Sequence, residues 1–200
     1  MLGRLRLQRG VTLIELAIGI AIVAILTVLA LPNFTAWMQN SQIRVAADAI
    51  QNGISIARAE AIRRNTSVRF QFTDTADNSC AISVTGKNWV VSLDDPSGAC
   101  GSAASDTTAP RLIQMRSASQ GTPNAVVTAD QSAIVFTGLG RVNPVPAANI
   151  TIKVTNPTGG ACAVTGTPGP IHCLWVIVST GGQVRMCDPF FALPDPQGCL

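Results

Sequence analysis

The chain has 200 residues, enough for one compact domain with an anchor or tail. Only 12% of them are charged and mean hydropathy is positive, which excludes a disordered chain and a solvated helical array. The formal charge of +3 belongs to Arg4, Arg6 and Arg9; the neutral remainder lacks the excess cations of a generic nucleic-acid binder, and one histidine excludes most catalytic triads and His-rich metal sites.

Residues 11–31 are an apolar run with one charge, Glu15. As a helix the run reaches roughly 30 Å, the thickness of a bilayer's hydrocarbon core. The arginines before it predict a cytoplasmic N-terminus, with everything after the run exported. A cleaved secretory signal is the alternative, with Val28-Leu29-Ala30 as its cut site. Glu15 argues against it. A carboxylate inside lipid costs about 2.5–3.5 kcal/mol and is kept where it has a partner. The plainer reading of Glu15 is a helix-terminal carboxylate favoured by the macrodipole.

Pro32 ends the apolar run and predicts a kink or a loosened turn. The apolar spacing then continues through Phe34, Trp37, Ile43, Ala46, Ile50, Ile54, Ala57 and Ala61, in steps of three or four after one longer jump. That period predicts a helix with one buried face. Gly53 weakens it by about 1 kcal/mol without ending it. Asn65 and Thr66 are suitable terminators, so one helix is expected from residue 11 to about residue 64.

Period-two patterns follow. Strands are expected at 68–72, 81–84, 89–93, 112–115, 125–128, 133–137, 150–155, 174–179 and 183–186. Thr85-Gly86-Lys87-Asn88 reads as a hairpin turn, and Gly181-Gly182 as a tight primed turn. Residues 94–110 and 156–170 read as long loops. Short connections require antiparallel pairing. The expected fold is α+β: a long N-terminal helix, half transmembrane and half amphipathic, packed on a C-terminal antiparallel β domain of two small sheets. The boundaries are 1–10 for a leader, 11–31 for the transmembrane half, 32–66 for the amphipathic half and 67–200 for the β domain.

Cys80, Cys100, Cys162, Cys173, Cys187 and Cys199 all lie on the side expected to be exported, where disulfides persist. Several connectivities are open. The preferred one joins sequence neighbours, Cys80–Cys100, Cys162–Cys173 and Cys187–Cys199, each closing a Gly- or Pro-rich stretch. Zinc spacing is missing, and His172 beside Cys173 is a lone imidazole. Asp74, Asp77, Asp94 and Asp95 lack EF-type calcium spacing. No metal, cofactor or enzymatic activity is expected.

The block Gly10-Val11-Thr12-Leu13-Ile14-Glu15-Leu16, behind a basic leader and ahead of an apolar helix with Pro32, resembles the type III signal of type IV pilins and type II secretion pseudopilins. The resemblance implies that a prepilin peptidase cuts after Gly10 and that the new N-terminus, Val11, is methylated; most members carry Phe there. It implies that Glu15 pairs during assembly with the terminal amine of a neighbouring subunit. Such pairing offsets the cost of two charges in lipid, and a repeated head-to-tail contact builds an open helical filament.

Residues 52–65, with Ala57-Arg58-Ala59-Glu60-Ala61-Ile62, and the segment Gly182-Gln183-Val184-Arg185-Met186-Cys187-Asp188-Pro189 are similar to the FimT/FimU minor pilins and the H-type pseudopilins. This implies a minor pilin that joins other minor and major pilins through the N-terminal helix to prime or cap a type IV pilus. It would sit in the bacterial inner membrane before assembly, with its C-terminal domain periplasmic, and in the pilus or pseudopilus afterwards. The alternatives are an H-type pseudopilin of a type II secretion system and a pilus-tip DNA receptor for natural transformation. For DNA the candidate contacts are Arg185, Arg141, Arg63 and Arg64. Some FimT-type proteins carry Gly-Arg-x-Arg near the C-terminus; here Gln183 replaces the first arginine. From Phe70 onward six basic side chains face eight acidic ones, a net of −2, which also weighs against DNA.

Overall fold

The structure is a computed structural model that describes residues 12–199. A single helix, α1, runs Leu13–Arg64, through Pro32 and Gly53. It closes at Asn65, whose φ of +48° is left-handed. The Thr66 N–H donates to the Ala61 carbonyl and the Asn65 N–H to that of Ile62, both at 3.2 Å. This is the paired closure of a Schellman motif, and asparagine is the non-glycine residue that best tolerates the position.

The chain divides into two compact units at Trp37 and Met38. In the first, the side chains of Leu13, Ile14, Leu16, Ile18, Ile20, Ile22 and Val23 are exposed, and so are Ile25, Leu26 and Val28 further along. Among the described residues no helix is long and apolar enough to cross a membrane. The expected span, 11–31, falls partly outside them, at Val11 and at the side chains of Leu29 and Ala30.

The second unit is the β domain with the rest of α1. Its strands are β1 Val68–Thr73, β2 Asn88–Ser92, β3 Leu112–Arg116, β4 Val126–Ala129, β5 Ala133–Phe136, β6 Ile150–Thr155, β7 Leu174–Val178 and β8 Val184–Cys187. They form two four-stranded antiparallel sheets, ordered β3-β2-β1-β5 and β4-β6-β7-β8. One apolar core joins both sheets to α1. Ile43, Ala46, Ile50, Ile54, Ala57 and Ala61 pack with Val68, Phe70, Phe72, Trp89, Ile134, Phe136, Ile152, Val154 and Val176. The steps of three and four from Ile43 to Ala61 are therefore the buried face.

Each sheet also carries a smaller cluster outside the main core. Cys80, Val90, Cys100 and Leu112 form one, and Ile177, Cys187 and Cys199 the other. All of β2 is buried for this reason: Trp89 and Val91 enter the main core and Val90 the smaller one. Disulfides join Cys80–Cys100, Cys162–Cys173 and Cys187–Cys199, the sequence-neighbour pairs preferred above.

Several expectations are corrected. Phe34 and Trp37 share the helical period but are exposed, so the buried face starts at Ile43. Residues 81–84 are not a strand; only an isolated bridge joins Ile82 to Thr73. The segment folds onto its own carboxylates instead. Asp74 Oδ1 accepts the N–H groups of Thr75 and Ala81 at 2.6 and 2.7 Å, and Asp77 Oδ1 accepts that of Ser79 at 2.8 Å. β2 consequently pairs with β1 rather than with residues 81–84. In the β7–β8 hairpin the positive φ, +81°, is at Gly182, the last residue of the Ser179–Gly182 turn, as in a type I turn closed by a glycine bulge. Residues 156–170 are not wholly irregular: a 3-10 turn occupies Pro157–Gly159, and Cys162 and Val164 bridge to Ile171 and Thr167.

Three amide side chains on α1 fasten distant loops. Gln39 Oε1 accepts from the Asn156 amide, Asn40 Oδ1 from the His172 N–H at 2.8 Å, and Gln42 Oε1 from the Asn124 N–H at 3.3 Å.

Candidate functional site

Thr12 is the N-cap of α1. Its carbonyl accepts the Leu16 N–H at 3.1 Å. Its hydroxyl oxygen accepts the Glu15 N–H at 3.3 Å, and its own N–H donates to Glu15 Oε2 at 3.5 Å. This is a capping box, which satisfies two helix-end donors reciprocally. The cap is not among the sequence expectations; the signal that could have found it is Thr12-Leu13-Ile14-Glu15, a Thr-x-x-Glu before an apolar run. Glu15 thus has the helix-terminal place of the plainer reading. Its carboxylate is exposed and, among the described residues, accepts one long hydrogen bond, a geometry that leaves it able to accept from a further donor. Gly10 and Val11 lie outside the described residues. Pro32 is within α1; its side chain is likewise outside the description.

Three of the four arginines named for DNA have partners within the chain. Arg63 and Arg64 both grip Glu60, at 2.6 and 2.7 Å, and Arg64 also reaches Asp106 at 2.6 Å. Those hydrogen bonds, Arg63's first, hold the Glu60 carboxyl at about 2. Arg185 donates to the carbonyls of Gly198 and Cys199 at 3.0 and 3.2 Å, so it fastens the C-terminal segment to β8. Arg141 is exposed in the turn after β5. The residue before it, Gly140, gives its carbonyl to Arg58 Nε at 3.0 Å. Arg111 makes a forked pair with Asp94 at 2.6 and 2.7 Å and holds that carboxyl below its usual range.

One pairing had no signal in the sequence beyond position. His172 Nδ1 lies 2.9 Å from Asp188 Oδ2, and Asp188 Oδ1 accepts the Phe190 N–H at 2.8 Å. His172 precedes Cys173 and Asp188 follows Cys187, so the pair ties two disulfide segments together. Among the described residues no group of three or more His, Cys, Asp or Glu side chains could hold a metal ion.

The model of a family described as "Type II transport protein GspH" matches residues 46–169, more than half of the chain. The chain belongs to the GspH family. The model of the prokaryotic N-terminal methylation motif also matches this GspH-family chain, at residues 5–31. No curated protein matches significantly. Among solved structures, the type IV minor pilin FimU of Pseudomonas aeruginosa is similar in two crystal forms. In one, identity is 15%, 82% of this chain and 99% of that chain are covered, and the TM-score is 0.50. In the other, identity is 14%, coverage 78% and 99%, and the TM-score 0.49. The solution structure of GspH from Escherichia coli is 13% identical, with coverage of 78% and 94% and a TM-score of 0.40. The first comparison shows a shared fold. Membership of the family, with the methylation motif, implies a role in a type IV pilus or a type II secretion system, processing by a peptidase and assembly with other pilins.

Proposed function

We propose that this chain is a minor pilin that assembles with other minor and major pilins to prime or cap a type IV pilus. Prepilin peptidase cleaves after Gly10 and the new terminus at Val11 is methylated. Residues 11–31 hold the subunit in the inner membrane, N-terminus cytoplasmic, with the β domain of residues 67–200 in the periplasm. One observation supports this most: Glu15 stands exposed at the capped start of a helix whose first unit turns apolar side chains outward. Those side chains gain by exchanging lipid for neighbouring helices, and the carboxylate gains by meeting an amine in a site of low dielectric.

The test is a pair of variants in the host that makes the filament. Gly10→Val leaves an unprocessed precursor, seen as a heavier band in membranes. Glu15→Ala is cut and inserted normally but is missing from sheared filaments. Normal processing of the first, or normal incorporation of the second, refutes the assembly scheme. The family description favours a second reading, an H-type pseudopilin of a secretion system. Deleting the gene separates the two: loss of surface pili supports the first, and loss of exported enzymes with pili intact supports the second.

A further inference from the structure

Phe34 and Trp37 stand three residues apart on α1, a spacing that puts them on one face. Their ring centroids are 5.9 Å apart, and they are 54% and 64% exposed. They mark a change of composition. Between residues 12 and 28 every side chain is apolar except Thr12, Glu15 and Thr27; Gln39, Asn40, Ser41, Gln42 and Arg44 follow Trp37 closely. An indole suits such a boundary, because its ring body is apolar and its N–H needs an acceptor. The distance also fits. Roughly 32–36 Å of helix axis separates Leu13 from Phe34 and Trp37, more than the ~30 Å of a hydrocarbon core and less than the ~40–45 Å of a bilayer with its headgroups.

We propose that, before assembly, Phe34 and Trp37 form an interfacial anchor seated in the headgroup region on the outer side of the inner membrane. The indole N–H meets ester and phosphate oxygens while the ring bodies lie against the acyl chains. Arg4, Arg6 and Arg9 hold the opposite face. With both ends fixed, Glu15 lies roughly 30 Å below the rings, at the inner boundary and not at mid-bilayer, where a carboxylate is most costly. The anchor rests on the membrane-held subunit proposed above and adds the depth at which it sits.

The chain has three tryptophans. Trp89 is buried in the β domain and Trp175 half-buried, so the emission difference between the full chain and Trp37→Phe reports Trp37. Both proteins are reconstituted in phosphatidylcholine–phosphatidylglycerol vesicles whose lipids carry bromine either near the headgroup or near the chain ends. The expected result is a blue-shifted Trp37 component that loses more intensity to shallow bromines than to deep ones. Greater loss to deep bromines puts the ring in the hydrocarbon core and overturns the anchor. No loss to either, with the protein still floating with vesicles, puts it in water or against another helix and also overturns it. Failure to float with vesicles overturns the membrane-held subunit itself, and the anchor with it.

Discussion

Gly53 shows how much one missing methyl group matters. A Cβ there would lie 2.8 Å from the Phe70 ring and 2.9 Å from that of Trp89, so it marks a close approach of α1 to the β1–β2 pair. Two effects oppose each other in Gly53→Ala. Helix propensity gains about 1 kcal/mol, while overpacking a rigid core costs about 1–3 kcal/mol. The intruding atoms meet ring carbons that cannot swing away, so the cost prevails and the midpoint of chemical denaturation falls. Spacing alone identifies this glycine only as a weak helix residue, because the sequence does not say which ring faces it. Glu60 is the electrostatic counterpart. Its folded value of about 2 lies below the ordinary 4.5, so its contribution is fully present above pH 4.5 and is lost as pH falls toward 2. Glu60→Gln lowers stability by about 1 kcal/mol at neutral pH. Denaturation curves of the two proteins converge as acid is added through that window. By sequence alone the arginines gripping Glu60 are candidate DNA contacts. Charge counting finds cations, but it does not reveal that Glu60 and Asp106 neutralise two of them or that Arg185 is committed to carbonyls.

At the scale of elements, apolar period was the most legible signal. It placed the buried face of α1, because steps of three and four from Ile43 to Ala61 admit one such face. It failed at Phe34 and Trp37, where the period continues but burial does not. Period also found strands of both sheets, yet misread residues 81–84, whose alternation is overruled by the local pull of Asp74 and Asp77 on the backbone. Pairing order was not legible, since local patterns do not encode which strand lies beside which. The cysteines behave as short-range clasps with separations of 20, 11 and 12 residues. In the chain-entropy account a loop of this size contributes about 3 kcal/mol. Two of the bonds also line the smaller clusters outside the main core. Reduction with a strong thiol therefore lowers the melting temperature of the full chain in detergent by many degrees. An unchanged melting curve refutes a stabilising role for the bonds.

For the whole molecule, the chain divides at Trp37 and Met38, and among the described residues the three buried apolar clusters all lie in the second unit, which is stapled and double-sided. The membrane-and-assembly role proposed for the first unit rests on hydropathy, a basic leader and one acid, all of them features of the sequence. The domain's use of α1 as a shared wall for both sheets required the structure. Gln39, Asn40 and Gln42 add a mechanical consequence. A pull entering the domain along α1 does not reach a single loop first. It is divided among the turn at Asn156, the backbone at His172 beside the Cys162–Cys173 bond, and the Asn124 turn. Tension is spread over attachments in parallel, so no one of them has to carry the load that would peel the wall away from its sheets.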